Sequence, residues 1–373
     1  MRQELGPFAD AAASADVAPP PPPLPASHPI EGPGARRLRY LDGWRGLSLL
    51  LVLVGHFFPI PGFKTGPLGV ELFFVLSGRL MAEILFVEQT PLLRFYKRRF
   101  SRIFPALLAF LIITFVVLAR TSMRFGPPFF ISAAAFLYNY AAAFGHRSFA
   151  IDHIWSLCIE EHAYLLLGLF ALLARKKSLP ILPVIFLLSA LSMLDGALST
   201  LLLKQDWFNA YWRTDAHVAS VLVSCGLYLA TRRSAALART SITPLVCAAL
   251  GMACFLEGVM YPVSYTLGTI LLATAVCTLD TAPAWFRTAL SNRLLAWVGI
   301  LSYSIYLWQQ PFYVATENSV GPWWRIAALG GAVASGAVSF YLLEQPARQF
   351  LNRVLDGRPS PTAKQAAAAA MPH

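Results

Sequence analysis

The sequence predicts an all-α membrane protein that crosses the bilayer about ten times, and three observations support that class. Of the 373 residues, 57% are hydrophobic and 13% are charged, whereas soluble domains carry about 25% charged residues. Apolar stretches of about 20 residues, the length that a helix needs to cross a bilayer, recur along the chain. The basic residues flank these stretches instead of forming one face, which is typical of membrane orientation and not of nucleic-acid binding.

The predicted spans are the apolar stretches bounded by charged or turn-forming residues. They cover residues 43–60, 67–87, 103–119, 154–174, 180–202, 214–231, 243–259, 262–279, 295–314 and 323–343. With both termini in the cytoplasm, this arrangement places most of the 30 Lys and Arg residues on the cytoplasmic side. The positive-inside rule favours that orientation.

One further apolar segment, FGPPFFISAAAFLYNYAAAFG at residues 125–145, is short and begins beside a pair of prolines. If it crossed the membrane, the basic groups at 175–177 and 232–233 would lie outside, against the positive-inside rule. We therefore expect a short interfacial or re-entrant segment here.

The two ends of the chain differ from the middle in composition. Residues 1–39 are rich in Pro and Ala and contain no signal-peptide core, so they are expected to form a disordered cytoplasmic tail. Residues 351–373 are expected to form a second such tail, which leaves 40–350 as the membrane domain. The five cysteines lie in apolar stretches without metal-ligand spacing, so neither a disulfide nor a metal is expected.

The first span, LDGWRGLSLLLVLVGHFFPI, contains one arginine and one histidine. Arg45 and His56 are about three helical turns apart, so they share a face, but the rise of about 16 Å prevents direct contact. A membrane anchor is the alternative for Arg45, and a histidine bonded to a backbone carbonyl is the alternative for His56. Two such groups at opposite ends of one face indicate a long ligand or a path between them.

More polar residues are predicted near the outer surface, at the depth of His56. Glu71 lies near the outer end of the second span, while His153, Ser156 and Glu160 follow one face of the fourth. Helix capping and interfacial anchoring are the alternative explanations. The residues of this region that are candidates for binding a ligand are Trp155, Ser156, Tyr164, Arg213 and Asp215.

A basic cluster, RFYKRRFSRIFPALL, marks the cytoplasmic start of the third span. Its Arg98, Arg99 and Arg102 have the geometry to bind phosphate groups, although a positive-inside signal needs no ligand. Arg79, inside the second span, either extends this phosphate site or pairs with Glu83, four positions later.

Several motifs, in order, resemble the acyltransferase-3 family of integral-membrane acyltransferases. The first is Arg45 followed after ten residues by His56; the others are GVELFFVLSG (69–78), RRFSRIFPA (98–106), HIWSLCIEEHAYLL (153–166), GILSYSIYLWQQPF (299–312) and LLEQPAR (342–348). The resemblance covers about residues 36–350. It implies transfer of an acyl group, often acetyl from acetyl-CoA, to a hydroxyl of a glycan, a lipid-linked sugar or a small molecule.

The sequence departs from the family's pattern at three places. His162–Ala163 replaces the usual Gln–Phe, and Arg79 follows Ser-Gly where an aromatic residue is commoner. Gln309 stands where members often have a histidine, which argues against a chemical requirement for that position here. Many members also carry an esterase-like domain, but no GxSxG motif is present, so we expect the membrane domain to complete the reaction.

The resemblance and the residue chemistry together predict the parts of an acyl-transfer site. His56 is the expected general base, because an imidazole accepts protons near neutral pH. Glu160 or Glu71 would orient it, and His153 is the alternative base or an acceptor-binding group. The phosphates of acyl-CoA, in particular acetyl-CoA, would be bound by Arg45, Arg98, Arg99, Arg102 and Arg79.

Two other functional classes also fit a bundle with charged groups inside the membrane. One is a multi-span transporter, and the other is a non-catalytic partner of a polysaccharide export complex. The sequence shows no inverted repeat and no pair of broken helices, which favours the enzyme. The expected location is a bacterial cytoplasmic (inner) membrane, in contact with its lipids.

Overall fold

The computed structural model describes residues 38–176, 179–233, 240–316 and 321–355. Over these ranges the regular structure is helical apart from one isolated bridge between Phe63 and Leu256. The predicted all-α class is therefore confirmed.

The helices are numbered in chain order. They are α1 (Arg39–Phe57), α2 (Thr65–Ala82), α3 (Leu92–Leu118), α4 (Pro127–Ala134), α5 (Tyr138–Ala143), α6 (Ile154–Arg175), α7 (Ile181–Leu201), α8 (Trp207–Trp212), α9 (Thr214–His217), α10 (Ala219–Arg233), α11 (Thr243–Ala253), α12 (Tyr261–Val263), α13 (Thr269–Cys277), α14 (Ala284–Leu290), α15 (Arg293–Thr316), α16 (Pro322–Ser339) and α17 (Gln345–Leu355). Single π-helical turns follow α2, α12 and α16, at Glu83–Val87, Ser264–Gly268 and Phe340–Glu344.

Helical structure lies at every predicted span, but not all of these helices are long. Four helical stretches of the described chain are long and apolar enough to cross a membrane: Leu92–Leu118, Ile154–Arg175, Ile181–Leu201 and Pro322–Leu355. Shorter apolar helices cover Thr243–Ala253 and Tyr261–Cys277. The number of ten spans and the orientation of the termini stay predictions.

The segment at 125–145 forms two short helices, α4 and α5, of 8 and 6 residues. At 1.5 Å per residue they reach about 12 Å and 9 Å, against a hydrocarbon core of about 30 Å. The backbone at Phe136 has a φ of 58°, which interrupts the helix between α4 and α5. Neither helix is long enough to cross by itself, as expected for an interfacial or re-entrant segment.

Most of the two predicted tails, residues 1–37 and 356–373, lie outside the described residues. The C-terminal helix α17 extends past residue 350, where the membrane domain was expected to end. It is attached to α3, because Ser101 Oγ donates to Asn352 Oδ1 at 2.8 Å and Lys97 Nζ donates to the Leu355 carbonyl at 3.0 Å. The helical domain therefore continues to residue 355.

The bundle buries several ionisable side chains within its core and exposes many large apolar side chains on its outer surface, as suits an apolar solvent. Among the described residues, five acidic, basic or histidine side chains are at most 3% exposed: Glu71, Arg79, His153, His217 and Glu344. Large aliphatic side chains on the outer faces of α3, α6 and α7 are more than half exposed, including Val116, Leu165 and Leu187. Buried ionisable groups in such a bundle are expected to have partners or a function.

Helix α1 is the centre of the arrangement because it packs against both α2 and α15. The backbones of α1 and α15 approach so closely that a Cβ at Gly299 would lie 1.9 Å from the Asp42 carbonyl oxygen. A Cβ at Gly46 would lie 2.1 Å from the Leu295 carbonyl oxygen. Glycine is required at both positions, and this contact brings the later part of α15 against the end of α1 that carries His56.

Candidate active site

His56, in the last turn of α1, is held by two residues of α15. Its Nδ1 lies 2.8 Å from Oε1 of Gln309, and its ring stacks on Tyr313 with centroids 4.6 Å apart and planes at 15°. The sequence argument against a chemical role for position 309 therefore needs correction, because this side chain touches the predicted base directly.

His153, the residue before α6, lies beside the same site. It is 3% exposed, and within the described residues neither ring nitrogen has a hydrogen bond of good geometry, although the backbone of Leu307 lies close to the ring. Phe110 and Tyr306 pack around its ring at centroid distances of 5.5 and 5.4 Å. His153 and His56 are close enough to interact electrostatically. A buried imidazole without a hydrogen bond of good geometry is the chemistry expected of a group that meets a substrate.

Ser156 and Tyr306 fix the neighbouring backbone. The two hydroxyl oxygens lie 2.6 Å apart, and each lies 3.1 Å from the carbonyl oxygen of His153. Two hydroxyl protons serve these three contacts. Ser156 is therefore placed beside Tyr306 and the backbone of His153. We call His56, His153, Ser156, Tyr306 and Gln309 the histidine site.

Glu160 lies two turns farther along α6 and does not pair with His56, contrary to expectation. Its carboxylate accepts hydrogen bonds from Ser77 and Tyr164 and forms an ion pair with Arg99 at 3.6 Å. The physical reason is distance, since Glu160 lies seven residues after His153 and the helix rises about 10 Å over that length. Glu160 and Tyr164 thus lie towards the middle of α6, away from the histidine site.

Arg99 is the centre of that second cluster. Its Nε donates to Glu161 at 2.9 Å, and its guanidinium lies 3.3 Å from the centroid of the Tyr164 ring. The side chains of Arg99, Glu160 and Glu161 are only 14–25% exposed. Arg99 is therefore largely neutralised by two carboxylates of α6.

Arg45 and Arg102 complete the cluster. Arg45 lies 3.6 Å from Asp42 and interacts electrostatically with Arg102, Glu160 and Tyr164. In the described part of the chain, the side chains of Arg98 and Arg102 form no hydrogen bond or ion pair. We call Arg45, Arg98, Arg99 and Arg102 the arginine collar. Its member on α1, Arg45, lies about 16 Å along that helix from His56.

Glu71 is not at the histidine site either. Its Oε2 lies 3.0 Å from Nε2 of His217, and its Oε1 accepts a hydrogen bond from Thr269. The Trp155 ring packs on this pair, with its centroid 6.0 Å from that of His217. The expectation that Glu71 orients His56 is wrong, because α9 and α13 provide the partners of this carboxylate.

Arg213 and Asp215 form a network near the surface. Arg213 Nη2 lies 2.8 Å from Asp195, and its Nε donates to Asp215 at 3.0 Å. Tyr140 donates to the same Asp215 at 3.2 Å. The contacts of this network tie α7 and α5 to α9 and include no residue of the histidine site.

Arg79 is separated from the collar. Its Nη2 donates to Asp280 at 2.8 Å, and its Nη1 donates to the carbonyl of Val276. The alternative of a pair with Glu83 is wrong, since the carboxylate of Glu83 accepts from Tyr228 instead. Arg79 therefore ties α2 to the turn after α13, and within the described residues none of its hydrogen bonds or ion pairs joins it to the collar.

Sequence reasoning missed the contribution of α15. Tyr306, Gln310 and Tyr313 lie at i, i+4 and i+7 of the segment SYSIYLWQQPFY (302–313), which is one helix face. That spacing could have identified them as a polar side of the helix. Among the described residues, no group of three or more His, Cys, Asp or Glu side chains is placed to hold a metal ion.

Comparison with known proteins gives the family. A sequence model described as an acyltransferase domain matches residues 38–344. The peptidoglycan O-acetyltransferase OatA of Listeria monocytogenes is 26% identical over 355 residues, which cover 84% of this chain and 56% of the relative. The O-acetyltransferase OatA of Staphylococcus aureus is 28% identical over 322 residues, covering 76% and 52%.

A third relative, the putative peptidoglycan O-acetyltransferase YrhL of Bacillus subtilis, is 25% identical over 352 residues, covering 83% of this chain and 54% of the relative. The chain thus spans about half the length of the curated relatives it matches. No solved structure shows significant similarity to this chain. The family match covers most of the chain and includes both the arginine collar and the histidine site, and the protein therefore belongs to the acyltransferase-3 family.

Proposed function

We propose that this chain transfers an acetyl group from acetyl-CoA to a hydroxyl of a cell-wall glycan in a bacterial cytoplasmic membrane, with His56 as general base. The observation that carries the proposal is the placement of two polar sites along one helix. Arg45 joins the arginine collar at the start of α1, and His56 joins the histidine site at its end. The relatives named as peptidoglycan O-acetyltransferases support both the acetyl group and the glycan acceptor.

The arginine collar would bind the phosphates of the donor. Arg98 and Arg102 provide guanidinium groups whose donors are not used by carboxylates in the described structure, and guanidinium binds phosphate in bidentate fashion. Arg99 is held by Glu160 and Glu161, so its role is to position the collar. The donor arm would then follow the α1 face towards His56.

The reaction at the histidine site is a balanced acyl transfer. The imidazole of His56 accepts the proton of the acceptor hydroxyl while that oxygen attacks the thioester carbonyl carbon. The C–S bond then breaks, and the imidazolium returns the proton to the sulfur, which leaves as free CoA thiol. His153, whose ring nitrogens have no hydrogen bond of good geometry in the described residues, would hold the acceptor hydroxyl between the two imidazoles.

The test is free CoA release by purified protein in lipid nanodiscs supplied with acetyl-CoA and peptidoglycan fragments. Positioned proton transfer contributes about 10²–10⁴-fold, so His56→Ala should lose nearly all turnover and keep its CoA affinity. His146→Ala, in an exposed loop, is the matched control. If His56→Ala turns over normally while His153→Ala is inactive, the base is His153. If no variant and no condition releases CoA, the donor is not acetyl-CoA.

A further inference from the structure

We infer that Gln309 and Gln310 form an amide relay that fixes the tautomer of His56, so that Nδ1 carries the proton and Nε2 is the basic nitrogen. The relay joins α15 to the backbone of Phe149, just before α6. Its consequence for catalysis rests on the proposed function, but the tautomer itself does not.

The direction of each hydrogen bond follows from the last group in the relay. The carbonyl of Phe149 can only accept, so Gln310 must present its Nε2, which lies 2.9 Å away. The Oε1 of Gln310 then accepts from Nε2 of Gln309 at 3.3 Å. The Oε1 of Gln309 is left facing Nδ1 of His56 at 2.8 Å, and an amide oxygen only accepts. Nδ1 must therefore donate.

Burial makes this arrangement a constraint. Gln309 is 0% exposed and Gln310 is 6% exposed, so water does not substitute for a lost partner. Rotating either amide by half a turn would set two oxygens or two NH groups against each other. Only one orientation of both amides satisfies every group, and that orientation selects one tautomer of His56.

The relay provides an acceptor without a charge. A carboxylate at this position would hold the same tautomer but would also stabilise the imidazolium, whereas an amide does so only weakly. Two titratable neighbours face His56: Tyr313, stacked on its ring, and His153, within electrostatic range. The side chain of Gln309 is uncharged, so it acts as a positioning residue and not as a counterion.

The tautomer can be read directly by ¹⁵N NMR of protein labelled on histidine in nanodiscs, with the His56 signals assigned by their loss in His56→Ala. We expect a protonated Nδ1 and an unprotonated Nε2 in the neutral form. Gln309→Met keeps the side-chain length but removes the acceptor, and Gln310→Met frees the Gln309 amide to rotate. Both variants should give a mixture of His56 tautomers. The control Gln205→Met, at an exposed position, should keep the single tautomer of the wild type.

Kinetics supply the second readout. Gln309→Met should lower kcat by at least about 10-fold, within the 10²–10⁴-fold that a general base supplies in total, and leave the donor KM unchanged. Gln309→Glu keeps an acceptor, so kcat should fall less than in Gln309→Met while the acid limb of the kcat/KM profile moves to higher pH.

The outcomes separate the two proposals. An Nε2-protonated His56 in the wild type overturns the relay whatever the activity. An unchanged tautomer and pH profile in folded Gln309→Met and Gln310→Met overturn it as well. A fully active His56→Ala leaves the tautomer result intact and overturns the assigned base. If Gln309→Met fails to fold, the NMR result on wild type and the pH profile of Gln309→Glu still decide.

Discussion

Arg99 and Arg102 are one helical turn apart on α3, yet their surroundings differ. Arg99 is bonded to Glu160 and Glu161, while Arg102 has no bonded carboxylate in the described residues. Arg102→Gln should therefore raise the donor KM, by about 10- to 100-fold if a charge-assisted bond of about 1.5–3 kcal/mol is lost. Arg94→Gln, outside the collar, is the control.

Arg99→Gln should act differently, because it leaves two largely buried carboxylates without their cation. We expect a lower unfolding temperature in detergent, together with weaker donor binding. Titration calorimetry measures the CoA affinities of wild type, Arg102→Gln and Arg98→Gln. If all three are equal, the collar does not bind the donor and serves only to orient the protein in the membrane.

The buried pair of Glu71 and His217 must hold one shared proton. Nδ1 of His217 lies 2.7 Å from the Tyr211 carbonyl, so it carries hydrogen, and Nε2 lies 3.0 Å from Glu71. A proton between Nε2 and the carboxylate is needed in either charge state. Glu71→Gln supplies an NH in its place and should fold nearly as well as wild type.

Glu71→Ala, in contrast, should cost about 3–5 kcal/mol, the usual loss when one partner of a buried pair is removed. Chemical denaturation in detergent measures both variants. Equal destabilisation of Glu71→Gln and Glu71→Ala would mean that a net charge, and not the shared proton, is essential.

At this scale the sequence identified which residues are polar and which helix face they share, but not their partners. Periodicity predicts one stripe for His153, Ser156 and Glu160, but in the structure the first two lie at the histidine site and Glu160 pairs with Arg99. The partner of each is set by the helix that packs there: α15 beside Ser156, and α3 beside Glu160. Packing across helices depends on tertiary contacts that a single-helix pattern does not contain.

At the scale of elements, the pair of Arg79 and Asp280 joins α2 to the turn after α13. Burial alone would raise the pKa of Asp280, but the charge of Arg79 and the hydrogen bonds from Tyr40 and Arg79 outweigh it and hold that pKa below its usual value. A carboxylate with a lowered pKa stabilises the fold above its unfolded pKa, near 4, and loses this contribution as the pH falls through its folded pKa.

Thermal unfolding from pH 6 to pH 3 tests this link. The unfolding temperature of wild type should fall below about pH 4, and Asp280→Asn should be less stable at neutral pH with a smaller fall. Glu88→Gln is the control with the opposite sign, because burial and the nearby Glu83 raise the pKa of Glu88. Parallel curves for wild type and Asp280→Asn would contradict the assignment.

Element positions were predictable, whereas interruptions within them were not. The predicted span at 214–231 is split into α9 and α10, and the one at 262–279 contains the π turn at Ser264–Gly268. Both interruptions lie beside the buried pair of Glu71 and His217, where polar side chains adjust the backbone. A hydropathy window averages over such local changes.

For the whole molecule, the orientation in the membrane is the central prediction. In a cysteine-free background, a single cysteine at Lys204 should react with an impermeant maleimide added to intact cells, and one at Lys176 should react only after lysis. The reason is the excess of basic residues in the segments assigned to the cytoplasm. Labelling of position 176 in intact cells would reverse the orientation or add a crossing.

The two sites are separated by covalent geometry, since α1 carries Arg45 and His56 and α6 carries Glu160 and His153. Each helix therefore fixes the spacing of its own side chains at 1.5 Å per residue. In the proposed reaction the donor reaches from the collar to His56, so the length between its phosphates and its reactive carbon must match the spacing that both helices set. An insertion of one turn in α1 or α6 alone would change only one of these spacings, so a donor of another length would require matched insertions in both helices.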